Sequence, residues 1–94
     1  MLLIVYGWTV FFMYITKKIF SKTMKSEILI TFGNRVKMLR EQNGLSQEEF
    51  AYRSGLDRSY ISGVENGRRN ISLKAIYSIA EALDITLMEL FENI

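Results

Sequence analysis

In the C-terminal part of the chain, apolar residues recur at the spacing of amphipathic helices. Phe32, Val36 and Leu39 stand at positions i, i+4 and i+7, which predicts one buried stripe on a first helix that ends at Asn43 and Gly44. Three later groups of apolar residues also have helical spacing, a capping sequence predicts one more helix, and no alternating run predicts a strand. The pattern therefore predicts an all-α fold of five short helices.

Polar residues mark where the later helices begin. Ser46 followed by Glu49 has the S-x-x-E form of a capping box, in which each side chain bonds a free backbone donor of the other, and Thr86 with Glu89 repeats it. The other two helices start at single capping residues, Asp57 and Ser72. Each predicted helix therefore has a start signal of its own.

The first sixteen residues, MLLIVYGWTVFFMYIT, carry no charged side chain, and a lysine-rich stretch follows them. This change of composition falls near residues 17–26. We therefore expect an apolar, then lysine-rich N-terminal extension over residues 1–26 and a helical domain over residues 27–94.

The extension is too short for a typical membrane-spanning helix, and it lacks the flanking residues of a secretory signal. A spanning helix needs about 20 apolar residues, and a signal begins with positive charge and ends with small residues. Three interpretations stay open: a membrane anchor, an apolar arm packed on a partner chain, or a leader translated from an upstream start codon when Met24 is the true first residue. We favour the leader, and expect a cytoplasmic protein with no membrane partner.

The amino-acid composition excludes several kinds of catalytic and metal site. The chain has no Cys and no His, which excludes thiolate and imidazole metal sites, Cys nucleophiles and Ser-His triads. With neither a phosphate-binding loop nor a carboxylate pair, we expect no enzyme, metal or cofactor.

Three of the 12 basic residues precede Met24, which leaves nine basic residues against ten acidic residues in the rest of the chain. Bulk charge therefore does not predict a nucleic-acid partner, and only the position of the charges can.

The most informative stretch is QEEFAYRSGLDRSYISGVEN, residues 47–66, which predicts two helices crossing at a tight joint. Such a unit needs a small residue in its first helix, a Gly at the joint and apolar residues facing inward. These requirements are met in order by Ala51, Gly55, Leu56, Ile61 and Val64. The spacing resembles the helix-turn-helix of the Cro and phage-repressor-like (XRE) family, over about Thr31 to Asn93. The resemblance implies a five-helix lambda-repressor-like DNA-binding domain.

Within that family, LDRSYISGVENGRRNIS over residues 56–72 looks most like the controller proteins of restriction-modification systems. The resemblance implies a transcription regulator that binds an inverted-repeat operator as a homodimer. Its expected partners are double-stranded DNA and a second copy, with RNA polymerase as a further candidate. Two alternatives with the same fold stay open, an antitoxin-type protein-interaction module and a phage-type repressor.

The third helix carries the predicted base contacts. At 100° per residue, four of its polar side chains fall within one arc of about 100°, opposite its apolar residues. These are Arg58, Ser59, Ser62 and Asn66. Arg58 has the fork that pairs with guanine O6 and N7, and we expect base readout from Arg58, Ser59 and Ser62. Gly63 costs about 1 kcal/mol inside a helix, which indicates either close approach of DNA or close packing of another helix.

Contacts with the DNA backbone are expected on both sides of this helix. Gln47 stands at the start of the second helix, where free backbone N–H groups favour a phosphate. The loop after the third helix resembles the family's backbone-gripping loop. The full predicted set is Gln47, Asn66, Arg68, Arg69 and Asn70.

Two further groups of residues are predicted to have structural roles, one as an ion pair between helices and the other as a dimer interface. Arg40 and Glu65 match a position pair that in related repressors forms an ion pair between the first and third helices. The last helix has apolar residues on more than one side, so part of its surface is expected to meet a second copy. The alternative is that these side chains complete the monomer core or cover the N-terminal segment. The predicted dimer interface consists of Leu87, Met88, Leu90, Phe91 and Ile94.

Overall fold

The computed structural model describes residues 2–94, with side chains for 6–18 and 26–94, and these residues form five helices without a strand. The helices are α1 (Leu2–Gln42), α2 (Gln47–Ser54), α3 (Arg58–Glu65), α4 (Leu73–Ala82) and α5 (Leu87–Leu90). The predicted all-α fold of five helices is confirmed.

The first helix is much longer than predicted. α1 has 41 residues and continues without interruption through residues 17–26, so the change in composition there is not a break in the helix. No Pro occurs in the chain, and at 1.5 Å per residue such a helix extends about 60 Å, which accounts for the 65 Å length of the molecule. The prediction of a short first helix was therefore wrong.

The described side chains near the N-terminus of α1 lie outside the core. Every described side chain from residue 6 to residue 18 is exposed, including the large apolar rings of Trp8, Phe11 and Phe12. Among the described residues, no helix combines the length and apolar content needed to cross a bilayer. Among the described side chains of α1, Phe32, 4 % exposed, is the first that enters the core.

Two of the predicted caps form in full. Ser72 Oγ accepts a hydrogen bond from the Ala75 N–H at 3.2 Å, and Thr86 and Glu89 form both bonds of a capping box. At α2 only half of the predicted box is present, because Ser46 Oγ accepts from the Glu49 N–H without a return bond. Asp57 occupies the cap position of α3 but its side chain makes no capping bond.

Left-handed residues end the helices and turn the chain back toward the core. Gly44, Gly55 and Gly67 take this conformation after α1, α2 and α3, with φ of 68°, 70° and 69°. After α4 the same place is taken by Asp84, whose φ of 55° is unfavourable for a residue with a Cβ. These turns are short enough for α1 to α5 to enclose one core.

Side chains from all five helices meet in one core, in which α3 packs mainly against α1 and α2. Its largest fully buried side chains are Val36, Phe50, Ile61, Val64, Ile79 and Leu90. Two of these belong to α3, which is only eight residues long and too short to be stable alone. Packing against the other helices therefore determines both the existence and the direction of α3.

Candidate nucleic-acid interface

The joint between α2 and α3 has the packing that the sequence predicts. Ala51 is 7 % exposed, Ile61 is completely buried and Val64 is 2 % exposed, while Leu56 packs on them from the turn. The Leu56 N–H donates to the Ala51 carbonyl at 3.1 Å across the left-handed Gly55. The small residue, the turn glycine and the apolar inner face thus set how α2 and α3 cross.

The outer face of α3 carries the three predicted base-reading residues. Arg58 and Ser59 are exposed, and Ser62 is half-buried beside Asn66. The Asn66 side-chain amide donates to the Ser62 carbonyl at 2.8 Å and lies 3.4 Å from the Ser62 hydroxyl. All four side chains therefore lie on the side of α3 away from the core, and their contacts with DNA stay predictions.

Arg58 has one acidic neighbour. Its Nη1 lies 4.0 Å from Oε1 of Glu48 on α2, and both side chains are largely exposed, at 65 % and 79 %. An ion pair this exposed contributes less than about 1 kcal/mol because water screens both charges. The Arg58 guanidinium is therefore held only weakly and remains available to another acceptor.

The predicted pair of Arg40 and Glu65 is present and buried. Arg40 Nε donates to Glu65 Oε2 at 2.7 Å and Nη2 donates to Oε1 at 3.0 Å, while Nη1 donates to the Leu45 carbonyl at 2.7 Å. The hydrogen bond to Glu65 raises the pKa of Arg40, and burial opposes that rise. A raised pKa means that this contribution to stability is present below the ordinary pKa of arginine and is lost only at strongly alkaline pH.

Gln47 adds a third side chain to this pair. Its amide nitrogen donates to Glu65 Oε1 at 3.1 Å, and the side chain is half-buried. The amide has two hydrogens, so one remains for a phosphate oxygen, together with the unpaired backbone N–H at the start of α2. The role of Gln47 as a phosphate contact stays a prediction, and its position is fixed by Glu65.

The loop after α3 folds back along that helix. The Gly67 N–H donates to the Val64 carbonyl at 3.0 Å and the Arg68 N–H donates to the Gly63 carbonyl at 2.9 Å. A Cβ at Gly67 would lie 2.8 Å from Ile30 Cγ1, so no larger residue fits between the turn and α1. The loop residues Arg68, Arg69 and Asn70 are all exposed, and their contacts with the DNA backbone stay predictions.

Arg69 lies across α3. Its guanidinium carbon is 5.1 Å from the centroid of the Tyr60 ring, a cation–π contact. A Cβ at Gly63 would lie 2.7 Å from Arg69 Cγ. The neighbour that requires a glycine here is thus a loop side chain, and the expectation that another helix packs closely on Gly63 is corrected.

Two residues of this arrangement were not predicted from the sequence. A Cβ at Gly33 would overlap the carbonyl oxygens of Val64 and Glu65, so Gly33 allows α1 to touch the end of α3. Arg35 donates to the carbonyl oxygens of Glu89 and Leu90, at 2.8 and 3.3 Å, and so joins α1 to α5. The sequence contains a signal for Gly33, because a glycine inside a helical pattern often marks close packing. It contains no signal for the contact that Arg35 makes with α5.

The predicted dimer interface divides into core and surface. Leu90 is completely buried within the monomer, which corrects its assignment to an interface. The other four residues are exposed, from 37 % to 85 %: Leu87, Met88, Phe91 and Ile94. The Phe91 ring also stacks on Phe32 at 5.4 Å, so α5 both closes the core and presents apolar surface. Whether a second copy covers that surface stays a prediction.

Comparison with known proteins places this geometry in a family. A family model described as helix-turn-helix matches residues 36–90. Control protein C.MunI of a Mycoplasma species is 51 % identical over 70 residues, which cover 73 % of this chain and 95 % of the relative. The crystal structure of the restriction-modification controller protein C.AhdI from Aeromonas hydrophila shares 55 % identity, with a TM-score of 0.68 over 69 % of this chain and 98 % of that one.

A further solved structure includes DNA. The restriction-modification controller protein C.Esp1396I, crystallised as a tetramer in complex with its natural 35 base-pair operator, is 38 % identical, with a TM-score of 0.65 over 68 % of this chain and 84 % of that one. The family model alone spans more than half of the chain, from α1 to the end of α5. The chain therefore belongs to the helix-turn-helix family, of the Cro and phage-repressor-like (XRE) type, and is similar across that domain to restriction-modification controller proteins.

Proposed function

We propose that this protein is a transcription regulator without catalytic activity that binds an inverted-repeat operator as a homodimer, as a restriction-modification controller protein does. One observation carries the proposal: α3 exposes Arg58 and Ser59 while its opposite side is locked into the core by Ile61 and Val64. A short helix that is rigidly held and presents polar groups outward has the form that enters the major groove.

Arg58 is the residue best placed to recognise a base. It stands at the first position of α3, and its guanidinium offers the planar fork that matches O6 and N7 of guanine. Ser59 and Ser62 follow on the same face with hydroxyls that can donate to or accept from a base edge or a phosphate. We propose that these three residues read the half-site.

Phosphate contacts would fix the position of α3 in the groove. Gln47 lies at the start of α2, and Arg68, Arg69 and Asn70 lie in the loop beyond α3. Contacts on both sides of the reading helix set its register on the duplex without carrying sequence information. We propose that these residues, with Asn66, grip the two flanking stretches of backbone.

Two-fold symmetry follows from an inverted-repeat operator. The exposed apolar side chains of α5, above all Met88 at 85 % exposure, offer surface for a second copy. In a dimer the two α3 helices would lie about 34 Å apart, one turn of DNA. For the related controller protein C.Esp1396I, a tetramer on a 35 base-pair operator is known.

Selection of bound duplexes from a random pool tests the proposal most directly. We expect an enriched inverted repeat whose half-sites are separated by one helical turn of DNA. Selection with the Arg58→Ala variant should recover the same motif without preference at one of its base pairs. Nanomolar, palindrome-dependent binding in a gel-shift titration would support the regulator. Micromolar binding that is blind to sequence would contradict it and favour a protein-interaction module of the antitoxin type.

We further propose that the DNA-binding unit needs only residues 27–94 and lies in the cytoplasm. Two observations support the first part: the described side chains from 6 to 18 are all exposed, and Phe32 is the first described side chain of the core. The full chain and a chain starting at Met24 should bind the selected duplex with equal affinity. A loss of affinity in the shorter chain would show that the extension takes part.

A further inference from the structure

We infer that Tyr60 and Gly63 are positioning residues for Arg69, and that they hold its guanidinium beside the DNA-reading face of α3 before DNA arrives. The inference rests on the proposed function and deepens it, because it assigns how one backbone contact is set. It begins from three observed relations: the Arg69 guanidinium over the Tyr60 ring, the missing Cβ of Gly63 beneath the Arg69 stem, and the loop that turns back along α3.

The Arg69 side chain takes a defined path over the surface of α3. At 100° per residue, Gly63 lies about 40° around α3 from Ser59, at the edge of the reading face, and Tyr60 lies about 60° further. Arg69 Cγ passes over Gly63, and the guanidinium carbon lies 5.1 Å from the Tyr60 ring centroid. The side chain therefore follows the border of the reading face.

Only a glycine at position 63 leaves this path open. Any Cβ there would lie 2.7 Å from Arg69 Cγ, which is closer than two non-bonded carbon atoms approach without overlap. Gly63 is itself buried although it lies at the edge of the reading face, and the atoms nearest to a Cβ placed there all belong to Arg69. A glycine that is unfavourable for the helix is thus explained by a side chain that crosses it.

The contact with Tyr60 leaves the positive charge of the Arg69 guanidinium unneutralised. A tyrosine ring attracts a guanidinium without neutralising it, so the in-plane N–H donors of Arg69 stay available. Arg58 has Glu48 nearby, whereas no ion pair among the described side chains includes Arg69. Arg69 is therefore held in place with its full charge facing solvent.

Holding Arg69 in place before DNA arrives increases the affinity for DNA. An arginine loses rotamer freedom when it is fixed on a phosphate, and this loss weakens association. Contact with Tyr60 removes part of that freedom in the unbound protein, so less is lost on binding. The guanidinium then keeps its place when the phosphate arrives, and the ring contributes to affinity without touching DNA.

Affinities of paired variants for the selected operator test this. Tyr60→Leu should weaken binding about threefold, the loss expected for one exposed cation–π contact, with an unchanged slope against salt because the charge remains. Gly63→Ala should weaken it similarly by displacing Arg69. Tyr60→Phe, which keeps the ring, should bind as the original protein does.

The same substitutions in an Arg69→Ala background decide the mechanism. We expect Tyr60→Leu and Gly63→Ala to have no further effect there. An equal loss in both backgrounds would mean that these positions meet DNA or support the fold, and tighter binding by Tyr60→Leu would mean that the ring holds Arg69 away from DNA. Either result overturns the inference, and Gly63→Ala provides the test if Tyr60→Leu does not fold.

A measurement without DNA separates this inference from the proposed function. Ring-current displacement of the Arg69 side-chain proton resonances should be present in the original protein and in Tyr60→Phe, and lost in Tyr60→Leu and Gly63→Ala. Absence of that displacement in a protein that binds its operator would overturn the inference alone. A protein with the displacement but no preference for any duplex would overturn the proposed function, and the role of Arg69 with it.

Discussion

Arg40 and Glu65 form two parallel hydrogen bonds, of 2.7 and 3.0 Å, between the end of α1 and the end of α3. Both residues are less than 10 % exposed, and Glu65 directly follows the buried Val64. Because the pair joins the helix that would read DNA to the longest helix of the protein, it fixes α3 at its C-terminal end. The joint at Gly55 fixes the other end.

Removal of one partner should destabilise the protein strongly. Glu65→Ala leaves the Arg40 guanidinium buried without its carboxylate, and we expect the free energy of unfolding to fall by about 3 to 5 kcal/mol in urea denaturation. Glu92→Ala is the matched control, because its pair with Arg35 is 3.8 Å long and Glu92 is exposed. That control should change stability by less than about 1 kcal/mol. Equal effects of the two substitutions would show that burial of the first pair adds nothing.

The sequence predicts those parts of the fold that local interactions determine. Ser72 and the pair of Thr86 and Glu89 cap their helices as expected, because a capping side chain bonds a backbone group only three residues away. Helical period likewise predicts that Ile61 and Val64 face inward. The exposed position of Arg58 follows from the same period.

What the sequence does not predict depends on contacts between distant residues. Gly33 and Gly63 are both glycines inside helices, and the sequence alone cannot tell that one meets backbone of α3 and the other meets Arg69. Leu90 shares the apolar pattern of its exposed neighbours, but it lies in the core, at the end of α5 that Arg35 joins to α1. The length of α1 does not follow from its composition, because the helix continues through residues 17–26 where the composition changes.

Arg58→Ala should change sequence preference. Loss of a fork that pairs with guanine costs about 1 to 3 kcal/mol and removes discrimination at one base pair. Binding to operators substituted one position at a time measures this. Arg69→Ala is the control, since a lost phosphate contact should weaken all sequences alike and flatten the salt slope by about one unit. The reverse outcome would exchange the roles of the two arginines.

Glu48→Gln should tighten binding. Its carboxylate lies 4.0 Å from the Arg58 guanidinium, and an exposed pair of this kind must be broken before Arg58 meets a base. We expect a two- to fivefold gain, the equivalent of about 0.4 to 1 kcal/mol. Glu49→Gln, one position along, removes the same charge without that contact and should gain less. Equal gains would indicate general charge repulsion by α2 rather than release of Arg58.

Asp84→Gly should stabilise the protein. Asp84 has φ of 55° in the turn that ends α4, a conformation that costs a residue with a Cβ about 1 to 2 kcal/mol. Glycine relieves this cost but gains freedom in the unfolded chain, so we expect a net gain of about 0.5 to 1 kcal/mol in the free energy of unfolding. Asp84→Ala keeps the Cβ and loses the polar side chain, and should destabilise. A loss of stability with glycine would show that the Asp84 side chain makes a favourable contact of its own.

Substitutions at Met88 and Leu90 separate the surface of α5 from its core side. Met88 is 85 % exposed, so Met88→Glu should leave the monomer folded while a charge in the proposed interface dissociates the dimer in sedimentation experiments. Leu90 is completely buried, and Leu90→Ala should lower the free energy of unfolding by about 2 to 5 kcal/mol because it leaves a cavity. If Met88→Glu sediments as a dimer with unchanged operator affinity, another surface joins the two copies. The apolar side chains of α5 would then need a different explanation.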